Sequence, residues 1–205
     1  MLGDFVKQHP NVQSYNLRSN MMNVSPGDTV TDPRGFDQFL DALEYLKFRG
    51  ELQIKHLNLS MAHYQPEQLT RLMRILSDSP IEEINLSNCG ITNDPDDPEN
   101  NHLKAIADGM TSKYYSLKTI NLKGNHFNGT DVITFQNFVE KIKLNCPNFT
   151  NLDLNVNRVT SPYQLTDGIA ESSPAAQVLG ELTTAPYYIY VHLPQDKAVT
   201  ESSQV

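Results

Sequence analysis

The chain has 205 residues, which fits one domain, and its 39% hydrophobic content is enough for one thin continuous core. Its formal net charge of −8 does not suit nucleic acid or an anionic membrane as the main partner, and favours a basic protein surface. No apolar run approaches the ~20 residues of a membrane span, and the first residues show no Sec-type signal.

One pattern recurs five times along the chain: apolar-x-x-apolar-x-Leu, in most units followed by x-x-Asn/Cys-x-apolar. Repetition of this kind sets the architecture of the whole chain. Positions 4 and 6 are apolar around a polar position 5, which predicts a strand with one buried face. Positions 1, 4 and 6 of the five units are Val12-Tyr15-Leu17, Ile54-Leu57-Leu59, Ile81-Ile84-Leu86, Leu117-Ile120-Leu122 and Phe149-Leu152-Leu154.

Position 9 of each unit follows the strand, where the backbone is expected to bend inward. An Asn side chain there can bond to buried backbone groups that the bend leaves unpaired. Ala62 cannot do this, so the second unit departs from the pattern. The five position 9 residues are Asn20, Ala62, Cys89, Asn125 and Asn157.

Helices are predicted between the strands, because apolar residues recur there with a period near 3.6. Pro66-Glu67 and Thr130-Asp131 are suitable helix starts, and Pro80 and Pro147 follow helices as stops. Each unit is therefore strand, turn, helix and return. The predicted buried helical faces are Phe36-Phe39-Leu40-Leu43-Leu46, Leu69-Leu72-Met73-Leu76, Leu103-Ile106-Ala107-Met110 and Phe135-Phe138-Val139-Ile142.

The two ends of the chain predict capping elements around a single repeat domain, residues 1–194. Residues 1–11 are interpreted as an N-terminal capping helix or as the end of a missing upstream repeat. Residues 161–194 are interpreted as a degenerate closing repeat, because an open end would expose the core. Its strand has Tyr188, Val191 and Leu193 at positions 1, 4 and 6. Residues 195–205 are expected to form a flexible polar tail.

The segments "IEEINLSNCGIT" and "LKTINLKGNHF" resemble the ribonuclease-inhibitor-like class of leucine-rich repeats. The resemblance covers roughly residues 1–160. It implies an α/β solenoid, or horseshoe, of about five to six strand–helix repeats with a parallel concave sheet and outer helices. It implies protein binding without naming a partner. Uneven spacing of the units places insertions near residues 23–33 and 93–101, on the same rim.

The polar strand positions of such a horseshoe would form columns across its concave face. Position 5 carries Asn or Asp in every unit, and these side chains are either a binding ladder or structural groups bonded neighbour to neighbour. Charges nearby are of mixed sign, so a partner would need polar complementarity. The predicted protein-binding residues are His56, Asn58, Glu83, Asn85, Lys118, Asn121, Lys123 and Asp153 on the concave face, with Asp96 and Asp97 on the rim.

Catalytic, metal and cofactor sites find no support in the sequence. No two His have metal-ligand spacing, and the common hydrolase and phosphate-binding motifs are missing. In the acidic insertion at 93–101, Pro95 and Pro98 stiffen the segment and the Gly of an EF-hand loop is missing, so we predict no metal there. Cys89 and Cys146 are expected to lie too far apart for a disulfide, so both are predicted to be reduced in a cytoplasmic setting. A monomer is predicted.

The function predicted from these features is that of a non-enzymatic protein-interaction module. The polar C-terminal tail and the frequent Asn resemble leucine-rich repeat effectors of intracellular bacteria (Legionella-type), which are translocated into a host cell. The alternatives are a GTPase-activating protein and an actin-end capping protein. One activator of a nuclear-transport GTPase shares this repeat class, and so do tropomodulin-like repeat domains. The terminal Ser203-Gln204-Val205 also resembles a PDZ-domain ligand.

Overall fold

The structure of the protein is a computed structural model that describes residues 2–20, 35–94, 96–127, 129, 131–157 and 174–192. Several predicted features lie outside the described residues. They are Thr130, Leu193, the insertion at 23–33, the segment 161–173, the tail at 195–205 and its terminal motif.

The strands form one parallel sheet in which chain order and spatial order are the same. Equivalent repeat positions lie side by side, so that Leu57, Ile84 and Ile120 are direct neighbours. This arrangement confirms the predicted α/β leucine-rich repeat solenoid. The strands are β1 (Ser14–Asn16), β2 (His56–Asn58), β3 (Glu83–Asn85), β4 (Thr119–Asn121), β5 (Asn151–Asp153) and β6 (Tyr190–His192).

The helices alternate with the strands and cover one face of the sheet. Asn101 and Asp131 cap α4 and α5, because their side chains accept the N–H groups of Lys104 and Thr134. No helix in the described part is long and apolar enough to cross a membrane. The helices are α1 (Leu2–Gln8), α2 (Gly35–Phe48), α3 (Pro66–Leu76), α4 (His102–Gly109), α5 (Val132–Asn145) and α6 (Pro174–Gly180).

The core lies between the helices and the sheet, and all the predicted helical core residues are buried in it. Close helix packing adds a constraint that the repeat pattern does not show. A Cβ on Gly109 of α4 would lie 2.6 Å from the Cβ of Met73 and 2.6 Å from the carbonyl oxygen of Thr70, both in α3. Glycine at this position therefore lets the two helices approach closely.

Asn125, at position 9 of the fourth unit, uses both ends of its side-chain amide inside the protein. Its Oδ1 accepts the N–H groups of Cys89 (2.8 Å) and Ile91 (3.2 Å) in the preceding unit. Its Nδ2 donates to the carbonyl oxygens of Leu86 (3.0 Å) and Leu122 (2.8 Å). Asn125 therefore bonds one repeat to the next, which confirms the role predicted for position 9.

Asn157 repeats this arrangement one unit further along the chain. Its Nδ2 donates to the carbonyl oxygens of Leu122 (2.9 Å) and Leu154 (3.0 Å), and its Oδ1 accepts the N–H of Phe127 (3.3 Å). The carbonyl of Leu122 thus receives one bond from its own unit and one from the next. Position 6 carbonyls are the shared acceptors of the buried Asn ladder.

The second unit replaces the missing ladder bond in a different way. The hydroxyl of Tyr64 donates to the carbonyl of Leu59 (2.8 Å), which is the position 6 carbonyl of that unit. The Sγ of Cys89 donates to the same oxygen (3.4 Å) from the next unit. Tyr64 therefore supplies the donor that Ala62 cannot, and this explains why the departure is tolerated.

Two inward-facing predictions at the ends of the array are wrong. Asn20 is exposed, and no hydrogen bond of its side chain joins it to another repeat among the described residues. Tyr188 was predicted at inward position 1, but it is 74% exposed and Ile189 is buried in its place. The backbone of Tyr188 is left-handed (φ 50°), which shifts the inward residue by one.

Candidate functional site: the concave face

The concave face is defined here as the face of the sheet that points away from the helices. Neighbouring strands lie ~4.8 Å apart, so six strands make a strip about 24 Å long. Position 3 contributes Ser14, His56, Glu83, Thr119, Asn151 and Tyr190 to this face. Position 5 contributes Asn16, Asn58, Asn85, Asn121, Asp153 and His192.

A shallow depression of about 190 Å³ lies on this face over the first three strands. It brings together four of the predicted site residues from β2 and β3. Its polar lining consists of Ser14, Asn16, His56, Asn58, Glu83 and Asn85. No hydrogen bond or ion pair joins His56 to Glu83 among the described residues, although the two are neighbours in register.

The position 5 side chains are bonded locally, which contradicts the alternative in which they bond from neighbour to neighbour. Each Oδ1 accepts the backbone N–H two residues further on, at position 7 of the same unit. The acceptor–donor distances are 3.1 Å for Asn58 and Ser60, 3.0 Å for Asn85 and Ser87, 3.0 Å for Asn121 and Lys123, and 2.9 Å for Asp153 and Asn155.

This local bond fixes the orientation of each side-chain amide. A backbone N–H only donates, so the amide oxygen must face it and the NH2 group must take the other side. The NH2 groups of Asn58, Asn85 and Asn121 have no hydrogen-bond partner in the part of the chain that the structure describes. Position 5 is therefore a column of oriented donors on three successive strands.

The starts of the strands carry both signs of charge. The ammonium of Lys118, just before β4, lies 2.6 Å from the carboxylate of Glu82, just before β3. The hydrogen bond from Lys118 is the main cause that lowers the pKa of the Glu82 carboxyl. The sequence places Lys118 on the binding surface, whereas the structure gives it an intramolecular partner at the edge of that surface.

The ends of the strands carry cations at position 7. Lys123 is exposed after β4, and its ammonium has no partner among the described residues. Arg18 is exposed after β1, where its Nε donates to the sulfur of Met61 (3.2 Å). Neither cation has a carboxylate partner within the described ranges. The two ends of the strands therefore differ in chemistry.

An aromatic group at the last strand is a feature that the sequence analysis missed. Tyr190 and His192 occupy positions 3 and 5 of β6, with ring centroids 4.4 Å apart, and Tyr190 is 67% exposed. The sequence did contain a signal for this group. With Val191 at the inward position 4, the residues on either side of it, Tyr190 and His192, must lie on the concave face. The C-terminal end of the face is thus more apolar than the remainder.

The acidic insertion on the strand-to-helix rim contains hydrogen bonds between its own residues. The carboxylate of Asp94 accepts the N–H of Asp96 (3.0 Å), and that of Asp97 accepts the amide of Asn100 (2.6 Å). Asp96 and Asp97 are exposed, as a rim contact would require. No cluster of three or more metal-ligating side chains occurs among the described residues.

His102 anchors this insertion to two neighbouring units. Its Nε2 donates to the carbonyl of Tyr64 (3.0 Å), and its Nδ1 accepts the N–H of Thr92 (3.4 Å). The Thr92 hydroxyl in turn donates to the carbonyl of Asn100 (2.8 Å). Burial of the imidazole lowers the pKa of His102, so the neutral ring is the bonded form.

One family model matches part of the chain and agrees with this architecture. The family model described as Leucine Rich Repeat matches residues 116–138, which contain β4 and the first half of α5. The chain is similar to this family over that one repeat. No curated protein matches the chain. Among solved structures it is similar to Leiomodin-1 Actin-Binding Site 2 (ABS2), with a TM-score of 0.46 and 13% identity over 95% of this chain and 78% of that one.

Proposed function

We propose that this leucine-rich repeat protein is a non-enzymatic interaction module that binds a protein partner through its concave face and strand-to-helix rim. One observation carries the proposal. Asn58, Asn85 and Asn121 hold NH2 donors in register on a sheet face that the helices leave open, and these donors have no partner among the described residues. Donors held in one orientation by a rigid backbone lose little entropy when a partner binds them.

The dimensions of the surface favour a protein over a small molecule. The depression of about 190 Å³ is smaller than the ~300 Å³ at which ligand pockets usually begin. Polar groups extend instead along the whole strip of about 24 Å, and this length matches a protein footprint. Tyr190 and His192 add an aromatic contact at one end of the strip, of the kind enriched in interfaces.

The proposal can be tested by blocking the concave face with a bulky thiol label. Both native cysteines are buried, and burial raises the pKa of the Cys89 thiol and raises that of Cys146 to about 12. A new cysteine that solvent reaches, at half-buried position 119 or exposed position 140, should therefore react selectively with a maleimide at about pH 7. Thr119→Cys places the label at the centre of the concave face, and Glu140→Cys places it on the exposed side of α5.

The experiment compares partner capture from eukaryotic lysate by each variant before and after labelling. We expect the label on Thr119→Cys to abolish a capture that the unlabelled variant retains. The label on Glu140→Cys should have no effect. A partner that binds the labelled Thr119→Cys protein undiminished would place its site elsewhere and refute the proposal.

The same labelled pair addresses the alternatives of GTPase activation and actin-end capping. Each predicts a specific partner, and GTP turnover by small GTPases or actin elongation would respond to wild type but not to the labelled Thr119→Cys protein. The effector origin, the cytoplasmic location and the monomeric state stay predictions from the sequence.

A further inference from the structure

We propose that the partner segment docked on the strand ends of the concave face is an acidic helix. This inference rests on the proposed function and adds the chemistry of the partner. The strand-end surface is defined by positions 5 and 7 of β1 to β5. An acidic segment presents carboxylate acceptors, which are the groups that amide donors and cations bind most strongly.

The hydrogen bonds at position 5 carry the first step of the argument. An Asn side chain usually offers both a donor and an acceptor to a partner. The oxygens of Asn58, Asn85 and Asn121 are occupied by the N–H groups two residues on, so only the NH2 groups remain available. A partner that meets this column must therefore supply acceptors.

Charge provides the second step. Position 7 adds Arg18 and Lys123, which have no carboxylate partner among the described residues. Across positions 5 and 7 of these five strands the single carboxylate is Asp153. Glu83 lies at position 3 of β3, about 7 Å from position 5, and Lys118 pairs with Glu82 at position 2. The strand-end surface is thus cationic on a chain whose net charge is −8.

The negative net charge of the chain does not contradict the positive charge of the strand-end surface. Charges further away than about 8 Å are largely screened at physiological salt, so contacts are governed by the nearest groups, which include Glu83 about 7 Å from position 5. The acids on the helices are partly neutralised, since Arg71 bonds both Asp41 and Glu44. The proposal therefore replaces the expectation of a basic partner, which rested on net charge alone.

Spacing selects the shape of the segment. The donors repeat every ~4.8 Å across the strands. Side chains three or four residues apart on a helix are ~5–6 Å apart, whereas same-face side chains of an extended strand are about 6.8 Å apart. A helix with Asp or Glu at such positions therefore matches the column better than an extended segment does.

The test uses a capped, alanine-based helical peptide with three Glu on one face, and the same peptide with three Lys. Binding is measured by calorimetry to wild type and to the double variant Asn85→Asp/Asn121→Asp. Aspartate keeps the acceptor for the N–H two residues on, as Asp153 already does, but loses the donor. The control Asn11→Asp/Gln53→Glu adds the same charge at exposed residues of the helix-to-strand rim.

We expect the Glu peptide to bind wild type at least about tenfold more tightly than the Lys peptide. The Asn85→Asp/Asn121→Asp variant should lose about tenfold or more in affinity for the Glu peptide, while the control changes it by less than about twofold. Asp153→Asn, which adds a donor to the column, should tighten binding. Asp96→Asn/Asp97→Asn should also tighten it by removing repulsion on the rim.

Preferential binding of the Lys peptide, or equal losses in the two double variants, would overturn the acidic-helix inference. Those results would leave the proposed function intact if the label on Thr119→Cys still blocked the captured partner. A captured partner indifferent to that label would instead refute the proposed function, whatever the peptides do.

Discussion

Two columns of asparagine run through this protein, and they differ in how many amide atoms the fold uses. Asn121 and Asn125 lie four residues apart in the same unit. Asn125 is buried and makes four hydrogen bonds to backbone groups of two units. Asn121 makes one, through its oxygen, and presents its NH2 group on the concave face. The same residue type is therefore structural in one column and available for binding in the other.

The largest change in the free energy of unfolding is expected from one isosteric substitution, made in the buried column. Asn125→Asp removes both amide donors and places a carboxylate among backbone carbonyls. We expect it to lower the free energy of unfolding by about 3–5 kcal/mol, because an uncompensated buried charge is costly. Urea denaturation monitored by circular dichroism measures the change.

Asn121→Asp is the matched control for that experiment. Aspartate at position 121 still accepts the N–H of Lys123, as the natural Asp153 does for Asn155. The free energy of unfolding should change by less than about 0.5 kcal/mol. Equal destabilisation by the two variants would mean that the columns do not differ as described.

A smaller effect is expected where a tyrosine replaces the ladder asparagine. Tyr64→Phe removes the hydroxyl that bonds the Leu59 carbonyl, and should cost about 1–2 kcal/mol of unfolding free energy. Adding Ala62→Asn should restore part of that loss by returning the donor to position 9. A double-mutant cycle measures the coupling, and purely additive effects would show that Tyr64 does not substitute for the ladder.

The smallest effect concerns His102, whose two nitrogens both bond neighbouring units as the ladder amides do. Burial lowers its folded pKa below the ordinary value of about 6.5, while Glu67 favours and His63 opposes protonation. The unfolded chain therefore binds more protons at acidic pH. This contribution to stability is complete above about pH 6.5 and is lost as the pH falls towards the folded pKa.

His102→Gln isolates the contribution of that group from all other titrating residues. The melting temperature of wild type should fall more steeply than that of the variant between about pH 7 and about pH 5. If the melting temperatures of the two proteins fell in parallel with pH, His102 would not contribute to the pH dependence of stability. The Gln side chain retains an amide that can donate to the carbonyl of Tyr64.

The fold could be predicted because burial leaves periodic traces in the sequence. Alternation around Leu57, Ile84 and Ile120 marked the strands, and the period of 3.6 marked the helices that pack on them. The ladder role of Asn125 followed from the bend after each strand. These features depend on local patterns that recur from one unit to the next.

The chemistry of the site was less predictable, because it depends on geometry that the pattern does not encode. From the sequence alone, an Asn at position 5 could offer a partner either a donor or an acceptor. The structure shows that its oxygen already accepts the N–H of position 7, so only the donor remains. Tyr64 compensates for Ala62 through a hydroxyl two residues away from the repeat position. The left-handed backbone of Tyr188 moved Ile189 into the core, a shift that a fixed spacing cannot anticipate.

The most direct test of the account is to follow side-chain amide resonances by NMR while the three-Glu helical peptide is added. The NH2 signals of Asn58, Asn85 and Asn121 should shift, because these groups face the partner. The signals of Asn125 and Asn157 should stay in place, because their amides are fully used inside the fold. Shifts confined to residues outside the concave face, or larger in the buried ladder than on that face, would contradict the account.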